Sequence, residues 1–246
     1  MAAELCDLTV HVDTGRWSET VLDAVNLAVP DGRITALLGE SGCGKSMIAA
    51  ALTGRLPKVA HTTGDVRVNG TRGQDERQWR QLRGRTVGLV PQAGVTAFTE
   101  TDTVGEQLRE LERRHGRWTI DRACAAACYP VDAFDLYPHQ HSGGQIQRAA
   151  LAAALLPAPD VLIADEPTAS LDTGLAYQVW RTLRGYADTG AAVLAITQDV
   201  SLLATLGVAD RMVFMRDGRI AVEGSASEIR SLTDPYVQGF FLEIGH

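Results

Sequence analysis

Gly39-Glu40-Ser41-Gly42-Cys43-Gly44-Lys45-Ser46 fills every fixed position of the phosphate-loop pattern G-x-x-x-x-G-K-S/T. Before it, Ile34-Thr35-Ala36-Leu37-Leu38 is a short apolar run with the length of a buried strand. After it, Met47 to Thr53 holds no breaker until Gly54. The spacing therefore predicts a loop joining strand to helix. Gly39, Gly42 and Gly44 let the backbone turn sharply and bring its N–H groups close to phosphate oxygens, while the helix points its positive dipole end at the same anion. Glu40, Ser41 and Cys43 occupy the variable places. Lys45 is positioned to reach the outer phosphates and Ser46 to ligate Mg²⁺. A Gly-rich turn that binds nothing is the bland alternative, and it accounts for neither the flanking elements nor the Lys-Ser pair.

The rest of the composition limits what such a site serves. With 246 residues the chain is long enough for one domain with an insertion or for two small lobes. Its formal net charge of -7 denies it the broad basic face that nucleic-acid phosphates require, so no nucleic-acid partner is expected. Arg72, Arg77, Arg80, Arg83 and Arg85 gather in one region, but Asp75 and Glu76 sit among them, as in a solvated charged segment. Met1-Ala2-Ala3-Glu4 does not begin a signal peptide. The longest wholly apolar run, Ala149 to Leu156, stops at Pro157 and is far shorter than a bilayer span. Any work at a membrane is then that of a peripheral subunit. The cysteines, Cys6, Cys43, Cys124 and Cys128, form no C-x-x-C pair, which fits a reduced cytosolic setting. Cys124 and Cys128 read as small residues of an Ala-rich helix, with a shared metal as the alternative.

Taken in order, the N-terminal third reads as strands. Val25, Leu27 and Val29 alternate with Asn26 and Ala28, Pro30-Asp31-Gly32 turns the chain, and Asp65 to Val68 followed by Asn69-Gly70 makes an antiparallel strand with its hairpin turn. Trp17 lies in this small β layer, 22 residues before Gly39, where it either stacks on an adenine face or packs on the layer. Thr86 to Val90 is a buried strand ending at Pro91-Gln92. From about Ala93 to Leu155 the period turns helical, with Val104, Leu108 and Leu111 recurring at three and four. This predicts a helical insertion over 93–156 in a core made of 1–92 and 157–246. Within it, Ser142 is placed as the N-cap of a helix opened by Gly143-Gly144-Gln145, a second anion-binding helix end. Val161 to Ala164 then delivers Asp165 and Glu166 at a strand's C-terminal end, where ligands of open α/β sheets gather. Beside a triphosphate, one carboxylate can hold Mg²⁺ and the other take a proton from attacking water. Ala192 to Thr197 ends in Gln198-Asp199, and a last hairpin turns at Asp217-Gly218.

A phosphate loop, Gln92 after a strand, Ser142-Gly143-Gly144-Gln145, Asp165-Glu166 and Ser170-Leu171-Asp172, in that order, resemble the nucleotide-binding domain of ABC transporters over essentially the whole chain. Thr103 to Gln107, Tyr137-Pro138-His139 and Asp234-Pro235-Tyr236 look like the peptide and nickel importer branch. The resemblance implies an α/β fold of the P-loop NTPase type: a mainly parallel sheet core with an antiparallel β layer and an inserted helical subdomain. It further implies ATP and Mg²⁺ on Gly39 to Ser46, with Gln92 sensing the γ-phosphate and Mg²⁺, Asp165 supporting Mg²⁺ and Glu166 polarising water. Asp172 would cross a dimer interface, and Ser142 to Gln145 would close on the ATP of a second nucleotide-binding domain. The implied partners are membrane subunits and an extracytoplasmic solute-binding protein, with the chain at the cytoplasmic face of the membrane. The implied activity is ATP hydrolysis that drives uptake of a peptide, nickel or metal chelate. An exporter subunit, or a soluble ABC-type ATPase acting on ribosomes or DNA, are the alternatives.

Two positions depart from the family pattern. His141 stands where the signature usually has Leu, and with His139 it forms either a metal pair or two loop-surface histidines. Gln198 stands where the family usually has a His contacting the γ-phosphate. Its amide donates a hydrogen bond but carries no charge, which predicts a slow site in a heterodimer whose other site is complete.

Overall fold

Strict alternation divides the central strands between two cores. In β3 (Ile34–Gly39), Ile34, Ala36 and Leu38 enter one apolar cluster and Leu37 the other. Side chains on successive strand residues point to opposite sheet faces, so a strand apolar on both must be covered on both. The same split holds in β7 (Val161–Asp165) and β8 (Ala192–Ile196), where Leu162, Ala164, Val193 and Ala195 face one core while Ile163, Leu194 and Ile196 face the other.

The computed structural model describes residues 1–73 and 75–242. Its other strands are β1 (Ala3–Asp13), β2 (Ser18–Val29), β4 (Ala60–Val68), β5 (Thr71–Arg72), β6 (Val87–Val90), β9 (Arg211–Arg216) and β10 (Arg219–Gly224). A six-stranded sheet runs β10-β9-β3-β8-β7-β6, parallel except for β10, and a four-stranded antiparallel sheet runs β2-β1-β4-β5. The helix α1 (Lys45–Leu52) lies between the two sheets, burying Ile48 and Leu52 in the core they share. This is the P-loop NTPase arrangement of ABC type expected from the motifs.

Between β6 and β7 every regular element is helical: short 3₁₀ turns at Gly94–Ala97, Val131–Ala133 and Pro138–Gln140, with α3 (Val104–His115), α4 (Ile120–Ala126) and α5 (Gly143–Leu155). Before them comes α2 (Glu76–Leu82), and after β7 come α6 (Thr173–Asp188), α7 (Val200–Leu206), α8 (Ala226–Ser231) and α9 (Pro235–Leu242). The arginine-rich segment is the short α2, with Arg80 and Arg83 on Glu76, while Arg72 pairs with Asp65. Its inner face is only Trp79 and Leu82, too sparse to show a period in the sequence. Cys124 and Cys128 do not share a helix. Helix α4 ends at Ala126, and Cys128 follows it at φ +52 with its thiol on the Gln178 side-chain oxygen at 2.9 Å. Cys124 is buried, which pushes its thiol up to about 11. No group of three or more candidate metal-binding side chains occurs among the described residues.

One charged cluster ties α6 to the starts of β3 and β9. Asp210 accepts from the Ile34 N–H at 2.8 Å, from Arg184 at 2.6 Å and from Arg33 at 2.7 Å, and Arg184 also donates to the Gly32 carbonyl at 3.1 Å. Partial burial would raise the Asp210 carboxyl, but the Ile34 N–H, Arg33 and Arg184 outweigh it and hold it below the usual range. A lowered carboxylate contributes stability that is present above about pH 4 and is lost as pH falls through its folded-state value. Arg184 and Asp210 keep 23% and 22% of their side-chain surface in water, so the pair is only partly shielded. Asp210→Ala is expected to cost about 2 kcal/mol at neutral pH. The loss should shrink as urea unfolding is repeated at progressively lower pH.

Candidate functional site

The phosphate loop is held from behind by two strands. Gly39 has φ +148, and a Cβ there would fall 2.4 Å from the Met215 carbonyl oxygen of β9. Gly44 has φ +106, and a Cβ there would fall 2.8 Å from a Leu22 methyl and 3.0 Å from the Val21 carbonyl of β2. Any larger residue would push the loop off its support. The helix that follows starts with Gly44 as N-cap and no side-chain cap, whereas Thr103, Ser142 and Asp172 cap α3, α5 and α6. Its first N–H groups thus remain for an anion. Lys45, 7% exposed, bends back so that Nζ donates to the Gly39 carbonyl at 2.7 Å and the Glu40 carbonyl at 2.8 Å. That places a positive charge across the mouth of the loop.

A cavity of about 280 Å³ opens in front of it, lined by Ser41, Gly42, Gly44, Lys45, Ser46, Gln92, Asp165, Glu166 and Gln198. These candidates come from four separate chain segments, all arriving at the C-terminal ends of parallel strands. Val21 and Met47 also line it, and nothing in their residue type marked them in the sequence. The segment leading to Gln92 is fixed by Gln147 of α5, which is 4% exposed and donates to the Pro91 carbonyl at 3.0 Å.

Asp165 and Glu166 differ in surroundings. Burial raises the Asp165 carboxyl, opposed by the Ser46 hydroxyl that donates to it and by the Lys45 charge. Burial likewise raises Glu166, opposed by the Gln198 amide and N–H and by Lys45, and reinforced by the neighbouring Asp165 charge. Glu166 stands at φ +47, a left-handed conformation unusual for a residue with a Cβ, and its Oε1 is buried without a hydrogen-bond partner. Hydroxyl, carboxylate and amide oxygens from Ser46, Asp165 and Gln92 make a hard donor set that suits Mg²⁺. The orphaned Glu166 oxygen is free to accept a proton from a substrate.

A raised carboxyl destabilises the empty protein. Its stabilising share is fully present below the unfolded pKa and is lost as pH rises through the folded one, so ionising either carboxyl costs the empty protein stability. Asp165→Asn should therefore raise the stability of the nucleotide-free chain by about 1 kcal/mol while weakening Mg²⁺-dependent nucleotide binding. Thermal unfolding with and without MgADP checks both halves.

The remaining candidates lie outside this cavity. Trp17 sits at the tip of the β1–β2 hairpin, 49% exposed, its turn closed by Thr14. Val21, four residues on, reaches the cavity. Gly39, Glu40 and Cys43 form the back of the loop. Ser142 caps α5, accepting from the Gln145 N–H at 3.2 Å while Gln145 returns a bond to the Ser142 N–H at 2.9 Å. This leaves the Gly143 and Gly144 N–H groups without an intrahelical partner. Gly144 packs under Ser170-Leu171, where a Cβ would meet Leu171 at 3.0 Å. Asp172 accepts from the Leu175 N–H at 2.9 Å and caps α6. His141 is neither half of a metal pair nor a free surface residue: its Nδ1 lies 3.0 Å from the Tyr137 carbonyl and its Nε2 2.8 Å from the Tyr129 hydroxyl. His139 is exposed and stacks on Tyr137.

No helix among the described residues is long and apolar enough to cross a membrane. The profile of the ABC transporter family matches residues 22–169. The oligopeptide transport ATP-binding protein OppD of Mycobacterium tuberculosis is 34% identical over 252 residues, covering 96% of this chain and 40% of that protein. The dipeptide transport ATP-binding protein DppD of Bacillus subtilis is 32% identical over 248 residues, covering 94% of this chain and 73% of its own. The chain thus spans less than half of OppD and about three quarters of DppD. A dimeric ATP-binding cassette in a post-hydrolysis state bound to ADP and Pi superposes with a TM-score of 0.80 at 23% identity, over 91% of this chain and 98% of that one. A bacterial Atm1-family ABC exporter with ATP bound gives 0.78 at 23% identity, over 98% of this chain and 41% of that one. At such identity these two likenesses speak for the fold, while the family profile and the curated relatives speak for descent: the chain belongs to the ABC transporter family.

Proposed function

We propose that this chain is the ATP-binding and ATP-hydrolysing subunit of an ABC transporter, peripheral at the cytoplasmic face, that powers uptake of peptides through separate membrane subunits. The observation that carries it is the single cavity where Lys45, Ser46, Gln92, Asp165 and Glu166 meet an uncapped helix start. There the loop N–H groups and Lys45 would hold the phosphates, Ser46 and Asp165 would hold Mg²⁺, and Gln92 would sense both. Bound Mg²⁺ supplies neutralisation of charge on the phosphates. Glu166 would take the proton of the attacking water. The exposed face of Trp17 would stack on adenine.

Ser142 to Gln145 would complete the ATP site of a second nucleotide-binding domain, since this helix end lies away from the chain's own cavity, and Asp172 would lie at that interface. The neutral Gln198 favours a heterodimer over a homodimer. The helical stretch 93–156 acts as a subdomain, and the groove of about 720 Å³ beside α3, lined by apolar Phe98, Leu108 and Leu111 and by charged Arg109, Arg113 and Glu106, suits a helix of a membrane subunit. Peptide as cargo rests on the peptide transport role named for the similar proteins, and with it an extracytoplasmic solute-binding protein.

The test is gentle solubilisation of native membranes, capture of the tagged chain and mass spectrometry of its companions. Multispan proteins and a second ATP-binding subunit are the expected result. Recovery from the soluble fraction with ribosomal or DNA-repair proteins would overturn the transport reading.

A further inference from the structure

Asp234-Pro235-Tyr236 has no part in the cavity, yet it lies directly behind the phosphate loop. Asp234 is built as a helix start: its Oδ1 accepts from the Tyr236 N–H at 2.8 Å and the Val237 N–H at 3.2 Å, and its carbonyl accepts from the Gln238 N–H at 2.9 Å. Pro235, with φ already set for a helix and no N–H to lose, opens α9. Val237 is fully buried, which fixes the rotation of the helix. Tyr236 is thereby aimed inward. Its ring meets Phe240 edge-on at 5.3 Å, Phe240 meets the buried Phe214 of β9 in the same way at 5.3 Å, and the Arg216 guanidinium stands 5.3 Å from the Tyr236 ring centre.

The hydroxyl at the end of this stack donates to the Met215 carbonyl at 2.6 Å. Met215 is the register partner of Gly39 across the β3–β9 pair, and its carbonyl oxygen is the atom that forbids a Cβ at Gly39. The Glu40 N–H, one residue into the loop, faces the same hydroxyl. On the loop's other flank the Gly218 N–H donates to the Cys43 carbonyl at 3.2 Å, and the Gly218 carbonyl accepts from the Asp23 N–H at 2.9 Å. The β9–β10 hairpin therefore braces the loop at two points, and one of them is tied down by a side chain from α9.

We propose that Tyr236 is a positioning residue for the phosphate loop: its hydroxyl fixes the carbonyl against which Gly39 turns, so that the loop's N–H groups are set for phosphate before a nucleotide arrives. This rests on the nucleotide-binding reading given above. Pre-setting matters because a loop that must be ordered on binding subtracts that ordering from affinity. A purely structural Tyr236 would anchor α9 and leave the loop indifferent to its hydroxyl.

Tyr236→Phe keeps the ring on Phe240 and removes only the hydroxyl. MgADP titration of the full chain by calorimetry, with backbone hydrogen exchange of the nucleotide-free chain, separates the two roles. The expected result is an affinity for MgADP lowered threefold or more, with faster exchange confined to residues 39–46. Wild-type affinity in the variant overturns the proposal, whatever happens to its melting temperature or to exchange in α9. If the wild-type chain itself binds no MgADP, the nucleotide-binding reading falls, and the proposal falls with it for that separate reason.

Discussion

Replacing Glu166 by Gln is expected to cut ATP turnover at this chain's own site about a hundredfold or more while MgADP affinity stays within about threefold. The side chain has the position and the environment of a general base. It follows the last residue of β7, beside Asp165 and Gln198, and one of its oxygens is buried with nothing to bond. Its backbone sits at φ +47, a conformation that costs on the order of 1 kcal/mol, in a residue that lines the cavity. Gln has the same shape and tolerates the same backbone, so the loss is one of proton affinity alone. Burial raises the carboxyl above the usual glutamate range, and a base works only when ionised. Turnover of the complex carrying a base-deficient partner should therefore rise with pH through that raised value, and Glu166→Gln should abolish this acidic limb. Phosphate release measured across pH decides the matter. A variant with wild-type turnover and the same limb would remove Glu166 from the chemistry.

The residues around Glu166 show what a sequence discloses. The phosphate loop is legible because its chemistry forces fixed spacing within eight consecutive residues, and the strands β3, β7 and β8 because burial on both faces leaves continuous apolar runs. What spacing cannot disclose is which distant segment lies behind the loop. The contacts of Gly39 with Met215 and of Gly44 with Val21 and Leu22 seat the loop on β9, far away in the chain, and on β2, the strand before β3, and they give these glycines a packing reason in addition to the phosphate one. Trp79 shows the same limit. It fills the space over Gly54 and Gly73, which no period in its short helix announces. His141 was open to a metal or a surface reading because its partners, Tyr129 and the Tyr137 carbonyl, meet it only through the folding of the helical stretch. Asp172 enters the sequence reading only through the resemblance, and its capping bond to the Leu175 N–H comes from the fold.

Gln198 should be the position where a single substitution raises activity. It lines the cavity beside Glu166, at the end of β8, and its amide acts on the Glu166 carboxylate. An amide donates one hydrogen bond at a time to a phosphate oxygen and contributes no net charge, whereas a protonated imidazole at the same place would add a full positive charge in a partly dry site. Among the described residues the only buried cation near the loop is Lys45, and in this state its Nζ is spent on the Gly39 and Glu40 carbonyls. Charge that develops on the transferred phosphate thus has one fewer counter-charge than in the family pattern, and the loss of one such contact is worth about a hundredfold in rate. Gln198→His is then expected to raise turnover at this chain's own site by up to about a hundredfold, with binding of MgADP changed far less. In a heterodimer the gain shows only when the companion site has been silenced, so the measurement is phosphate release from the complex carrying a base-deficient partner. Unchanged turnover there would mean that Gln198 already meets the need of the transition state, and the argument for an asymmetric pair would lose its footing.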